Sequence, residues 1–338
     1  FDQHVVQYEE DIRRFDSQRS MIGWNYCRFF ILKEGLALTF EIMNLCEEAL
    51  VQYDEALAWF GSFGATEPED DSANILDVKK KQYRDLIMQN TIPEFDFRCY
   101  LFARQCQLLG RLQRPVDICR RAQLFISTFA RAIREHQANI GEQFLESWIF
   151  SSCMSVVNEC EELAPLTPLD DLAFKSFNAA KGELLDLARK QLDKLGLRHG
   201  HLPSIVPFTT SLGDVTPPAS PDSENEKKIF TITNYELQKA IASISDFDLL
   251  YLSLTNRALK AYEGSTRLRS SLRLQADVAA LQFHRKNYDS AVKLMEDLPW
   301  RYNEQGWTLV ENTLLVNYAA CQKDLNLDPK LQTKFLHF

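Results

Sequence analysis

The sequence predicts an all-α protein, an α-solenoid of antiparallel helix pairs interrupted by a flexible Pro/Ser-rich linker. Two observations carry this. Apolar residues recur at helical spacing along most of the 338 residues. Only 12 Gly and 12 Pro occur, so the tight turns that join strands and the glycine loops that cradle phosphates are scarce. The length exceeds what one compact core usually fills, and the expected parts are residues 1–196, a linker over 197–228, and residues 229–338.

The first element follows from Phe1, Val5, Tyr8, Ile12 and Phe15, which share one helix face while Glu9, Glu10, Arg13 and Arg14 take the other. Residues 25–60 predict a hairpin of two helices broken at Asn44, and the acidic, aperiodic stretch 64–76 reads as a solvated loop. Further helices are predicted at 78–90, 97–112, 115–138, 141–163 and 169–195, with Pro165 and Pro168 parting the last two and Gly196 closing the fifth. Residues 197–228 gather proline, serine and threonine, which predicts a linker. Helices resume at 234–244, 246–263, 267–285, 288–298 and 304–325, with Asn234, Ser245 and Asn287 as expected caps. Only Lys228 to Thr233 offers a strand reading to weigh against helix.

Within the first hairpin, Ala37, Phe40, Ala49, Tyr53 and Ala56 precede Gly61; small residues let paired helices approach, and aromatics fill the groove. Ala279 and Ala291 keep the same spacing, with Met295 and Leu298 in the places of Tyr53 and Ala56. The register is similar to the tetratricopeptide repeat, so the solenoid is expected to be tetratricopeptide-like. A 34-residue period does not run through the middle of the chain.

Composition narrows the function classes. The net charge of −9 argues against nucleic acid as a partner, because phosphate backbones select for an excess of Lys and Arg. No apolar stretch approaches the ~20 residues that cross a bilayer. Eight cysteines without a CxxC pair fit a reducing cytosolic setting, and the opening Phe1 reads as an internal start within something longer. No phosphate loop, dinucleotide fingerprint, HExxH or GxSxG motif occurs. No catalytic residue, cofactor or metal is therefore expected. His199 and His201 are too few for a zinc site, and the Cys99/Cys106 and Cys153/Cys160 pairs read as buried apolar thiols.

Candidate interaction residues are few. Arg111, Arg114, Arg120 and Arg121 cluster around Pro115, suited to an acidic partner or anionic lipid, with ordinary helix-end cations as the plainer reading. The aromatic run Phe95, Tyr100, Leu101 and Phe102 predicts packing against a neighbouring hairpin, with Asp96 and Arg98 held at the edge as a possible partner contact. In the linker, Thr216-Pro217 and Ser220-Pro221 present the dipeptide of proline-directed kinases, so Thr216 and Ser220 are candidate phosphorylation sites.

Two phrases carry a more specific signal: Trp24-Asn25-Tyr26-Cys27-Arg28-Phe29-Phe30, running on through Leu45-Cys46-Glu47-Glu48-Ala49-Leu50, and Phe95-Asp96-Phe97-Arg98-Cys99-Tyr100-Leu101-Phe102-Ala103-Arg104-Gln105-Cys106. Both resemble the subunit-ten family of the transport protein particle, TRAPP, whose members are large and specific to TRAPP II; Arg114-Pro115 and Gly306-Trp307 fit the same family. The resemblance implies a non-catalytic helical scaffold within a multisubunit guanine-nucleotide exchange factor for Rab GTPases. It further implies other TRAPP subunits as partners, a Rab engaged through the assembled complex, and a cytoplasmic location peripheral to the trans-Golgi membrane. The alternative is a free-standing tetratricopeptide-like peptide-binding adaptor, disfavoured because no Lys/Asn/Arg set repeats at matching hairpin positions. A helical enzyme with a site assembled from distant segments is the third reading.

Overall fold

A computed structural model of the chain describes residues 2–59, 75–135, 143–205, 207–208, 232, 234–304 and 306–324. Helix accounts for 80% of these, and no strand occurs among them. The chain divides into two compact units, residues 1–170 with 226–233, and residues 171–225 with 234–338.

The first unit holds α1 (Asp2–Ser17), α2 (Tyr26–Ile42), α3 (Cys46–Trp59), α4 (Tyr83–Met88), α5 (Glu94–Arg111), α6 (Pro115–Glu135) and α7 (Phe144–Leu163), closed by a 3-10 turn at Ala164–Leu166. Each long helix packs on the next, and α4 rests on α2 and α5. Ala37, Ala49 and Ala56 are fully buried in the α2/α3 hairpin, and Tyr53 fills the space beside them. The second phrase, Phe95 to Cys106, reads as continuous hydrophobicity because α5 is buried on two sides. Phe97 meets Phe30 edge-on at 4.9 Å, while Phe102 stacks on Phe125 at 4.5 Å and Phe95 lies 5.9 Å from Trp148. Each such buried ring contributes about 1.5–3 kcal/mol of transfer free energy.

The second unit holds α8 (Asp171–Arg198), α9 (Tyr235–Ala242), α10 (Ile244–Gly264), α11 (Leu268–His284), α12 (Tyr288–Met295), α13 (Leu298–Glu304) and α14 (Thr308–Asp324). Ala279, Ala291, Met295 and Leu298 lie together in one core with Tyr302 and Leu314. Long α8 runs against α10, and glycines set the closeness of that contact. A Cβ on Gly182 would sit 2.8 Å from the Tyr262 ring, and one on Gly196 2.5 Å from Phe247.

Four hairpins, α2/α3, α5/α6, α10/α11 and α11/α12, turn on the same device. A non-glycine residue takes a left-handed conformation after the helix: Asn44 (φ 59°), Gln113 (φ 56°), Thr266 (φ 60°) and Lys286 (φ 61°). The next amide then returns to a carbonyl five residues back, as in Leu45 N to Phe40 O at 2.9 Å and Asn287 N to Gln282 O at 2.9 Å.

Several local expectations change. The α8 helix passes through Gly196 and ends at Arg198, with Gly200 (φ 74°) in the turn beyond, because Gly196 serves helix packing while His201 and Leu202 amides close back onto its carbonyl at 2.7 and 3.0 Å. Residues 199–202 are thus built into the second unit, with His201 and Leu202 buried. Packing places residues 171–196 with the helices that follow them. Ser243, and not Ser245, caps α10 through Asp246 N at 3.1 Å, and Asn287 directs its amide to Gln282 instead of capping α12. Asn234 caps α9 as expected, at 3.1 Å from Leu237 N. Residues 209–231, with Thr216 and Ser220, lie outside the described residues, as do most of the acidic stretch 64–76 and most of 228–233.

Candidate functional site

The arginines around Pro115 come together as rungs of an ionic ladder along α5 and α6. Arg121 grips Asp54 with two nitrogens at 2.5 and 2.8 Å, and Gln105 donates to the same carboxylate at 2.8 Å. Arg114 reaches Asp117 at 2.6 Å and Glu47 at 3.1 Å, while Arg111 and Arg104 converge on Glu41, the former at 3.0 Å. Three of these residues therefore tie one hairpin to the next. Arg120 is exposed on α6. Exposed pairs of this kind contribute about 0–1 kcal/mol each, and the ladder works mainly by fixing register.

Asp96 and Arg98 stand apart, at the start of α5. Asp96 is buried, not at an edge, because both its oxygens accept from Lys81 at 2.9 and 2.8 Å. Arg98 bonds Glu94 at 2.9 Å and lays its guanidinium 5.8 Å from the centre of the Phe129 ring. Nearby, a cleft of about 320 Å³ opens between α2, α4 and α5, lined by Glu34, Leu38, Lys79, Arg84, Tyr100 and Arg104 among others. Its charges are largely spent within the fold. Glu34 accepts from Tyr100 Oη at 2.5 Å and Arg84 Nε at 3.2 Å, and Arg104 donates to Tyr53 Oη at 3.0 Å. Burial and the adjoining Glu34 carboxylate push the Tyr100 phenol up, which keeps it protonated. The cleft's lining carries Lys79, Lys81, Arg84 and Arg104 against Glu34 and Asp85.

Four thiols are held toward the protonated form. Burial raises Cys99, Cys106 and Cys153, and Cys160 is raised by its hydrogen bond with Cys119 and then by burial. Thiolate, the reactive form, is disfavoured at each. Among the described residues, no group of three or more His, Cys, Asp or Glu is arranged to hold a metal ion. His201 Nε2 lies 2.8 Å from Ile241 O, and its own carbonyl accepts from Arg285 at 2.6 Å, so this histidine joins the ends of helices.

Sequence reasoning missed the strongest electrostatic feature, in the second unit. Arg189 is 2% exposed and sits among Asp186 (3.4 Å), Asp193 (3.7 Å) and Asp277 (2.8 Å), with Tyr251 Oη at 2.6 Å. Burial tends to raise Asp186, but Arg189, Arg273 and Lys190 outweigh it and hold that carboxyl below the ordinary carboxylate value. Asp277 goes the other way, pushed up to about 6 by burial, which Arg189 only partly offsets while Asp193 adds to the rise. A signal existed: Asp186, Arg189 and Asp193 fall on one face of a helix whose neighbours are apolar.

These features define a helical protein of stacked pairs whose charged groups serve its own architecture. Comparison with known proteins shows which of them the chain resembles. A family profile described as TRAPPC10/Trs130, NTS-like domain, matches residues 223–332. The chain is 26% identical to mouse trafficking protein particle complex subunit 10 over 99% of its own length and 28% of the relative's. It is 38% identical to the Dictyostelium discoideum protein of the same name, over 48% of this chain and 12% of that one. Against the Arabidopsis thaliana trafficking protein particle complex II-specific subunit 130 homolog, identity is 25% over 96% of this chain and 36% of the relative. Over nearly its whole length the chain is similar to proteins of the TRAPPC10/Trs130 family. It spans about a quarter to a third of the mouse and Arabidopsis relatives, at 28% and 36%. No solved structure matches it.

Proposed function

We propose that this chain is a non-catalytic scaffold segment of the TRAPP II tethering and Rab guanine-nucleotide exchange complex, acting in vesicle transport at the Golgi. The observation that carries the reading is likeness over nearly the whole chain to proteins named as TRAPP subunits, one of them as specific to complex II. The architecture supports it. Successive helix pairs expose long lateral faces, which suit broad contacts with other subunits better than capture of a small substrate. The charged residues of the α5/α6 ladder and the Arg189 cluster are engaged inside the fold, so they hold shape and leave catalysis to other subunits. A Rab GTPase meets the protein within the assembled complex, and membrane association is peripheral. No described helix is long and apolar enough to cross a bilayer.

The test is a pull-down from cytosol with the 338-residue chain as bait and identification of what it retains. Other TRAPP subunits should be enriched, and the enrichment should survive moderate salt. Retention of short tails of unrelated proteins in place of TRAPP subunits would favour the tetratricopeptide-like adaptor and sink the scaffold reading.

A further inference from the structure

The loop joining α1 to α2 has a construction that the scaffold reading does not use. Ile22 is 107% exposed and Met21 65%, the barest pair of adjacent large apolar side chains among the described residues. They are not held loosely. Met21 N donates to Gln18 O at 2.8 Å and Trp24 N to Met21 O at 3.2 Å, while Trp24 Nε1 anchors on Phe15 O at 3.1 Å. The Trp24 ring packs on Phe15 and Phe29, at 6.0 and 5.9 Å. Gly23 takes φ +91°, a conformation that turns the chain sharply behind the tip, and Asn25 Oδ1 begins α2 by accepting from Cys27 N at 2.7 Å. A tied loop thus presents two apolar side chains to solvent.

The segment that carries the tip is basic in a chain that is acidic as a whole. No carboxylate occurs between Asp16 and Glu34, and Arg19 and Arg28 lie to either side of the tip, in a protein of net charge −9. The Arg19 guanidinium lies 5.8 Å from the centre of the Trp24 ring, and Arg28 is exposed. Arg13 and Arg14 pair with Glu9 (3.6 Å) and Asp11 (2.6 Å), in contacts exposed enough to exchange for phosphate.

We propose that this loop is a lipid-contact site, with Met21 and Ile22 entering the headgroup boundary of an anionic bilayer and the surrounding arginines pairing with lipid phosphates. Charge complementarity favours a membrane over a protein groove. So does size: a two-residue tip is far below the ~1,000 Å² that a stable protein interface buries, while a bilayer accepts small apolar insertions wherever they land. Contact of this kind is weak for one loop and gains strength when a complex presents several. The inference goes beyond the scaffold reading, which asks for membrane contact only through the assembly. Vesicle binding and subunit capture are separate measurements.

The experiment is co-sedimentation of the 338-residue chain with sucrose-loaded vesicles. One set is phosphatidylcholine alone, and the other includes about 30% phosphatidylserine, so that only surface charge differs. The anionic set should retain several-fold more protein, and added salt should reduce the difference. The double substitution Met21→Ser with Ile22→Ser should lower retention by roughly tenfold at an unchanged melting temperature, and Arg19→Glu with Arg28→Glu should act in the same direction. Equal retention by both vesicle sets, or retention insensitive to the tip substitutions, would overturn the proposal. A tip variant that loses a protein partner while keeping vesicle binding would also overturn it and make the loop a protein-docking element.

Discussion

Asp277 places a pH dependence at a known position in the second unit. The groups facing it are Asp186, Arg189 and Asp193 on α8, Tyr251 on α10, Arg273 on its own helix, and Tyr302 on α13, itself pushed up to about 12 by burial. With its folded pKa raised to about 6, Asp277 binds its proton more tightly in the folded chain than in the unfolded one. That stabilisation is complete below the ordinary carboxylate pKa and is lost as pH rises through about 6, a loss on the order of 2–3 kcal/mol. Asp186, shifted downward, acts only below this window. Urea titrations between pH 4.5 and 7 should show the slope, and Asp277→Asn should flatten it; an unchanged slope in that variant would assign the proton elsewhere. Glycines give a second test of opposite signs. Gly196→Ala drives a Cβ to 2.5 Å from Phe247 and should cost roughly 1–3 kcal/mol, whereas at Gly110, with nothing within 4 Å, alanine should gain about 0.5–1 kcal/mol of helix propensity.

At the scale of helices, the paired alanines and the left-handed turns make predictions that differ in sign. Ala49 is fully buried in the α2/α3 hairpin, so Ala49→Trp should overpack it and cost roughly 1–3 kcal/mol or more. Thr266 is β-branched and held at φ 60°, a strained combination that Thr266→Gly should relieve by about 1 kcal/mol, read as a higher melting temperature. Most helices were legible because one-sided burial leaves a periodic imprint, as along α1 and α3. The break at Asn44 was legible because asparagine tolerates φ > 0. Gly196 misled because a glycine demanded by close helix packing looks, in sequence, like one that ends a helix, and Gly200 lay four residues on. The α13 helix fell in the gap between the helices expected at 288–298 and 304–325, since a seven-residue element is too short to show a period. The charged residues were harder. Whether Arg121 faces solvent or Asp54 depends on which hairpin lies beside it, and nothing local records that. The same is true of Asp96 and Lys81, fifteen positions apart, and of Arg189 and Asp277, on helices that the sequence separates by two others.

At the scale of the whole molecule, the proposed role of this chain is to build shape. Purified alone, it should leave the rate of nucleotide release from a Rab GTPase unchanged, and acceleration by the isolated chain would place exchange chemistry where none is proposed. The central claim is that its surface is made for other TRAPP subunits, and the most direct measurement is reconstitution. The chain, mixed with the purified remaining subunits of the complex and passed over a sizing column, should elute in a larger species at fixed stoichiometry. The Met21→Ser with Ile22→Ser variant should co-elute equally well. Elution of the chain by itself, with its melting temperature showing it folded, would contradict the account.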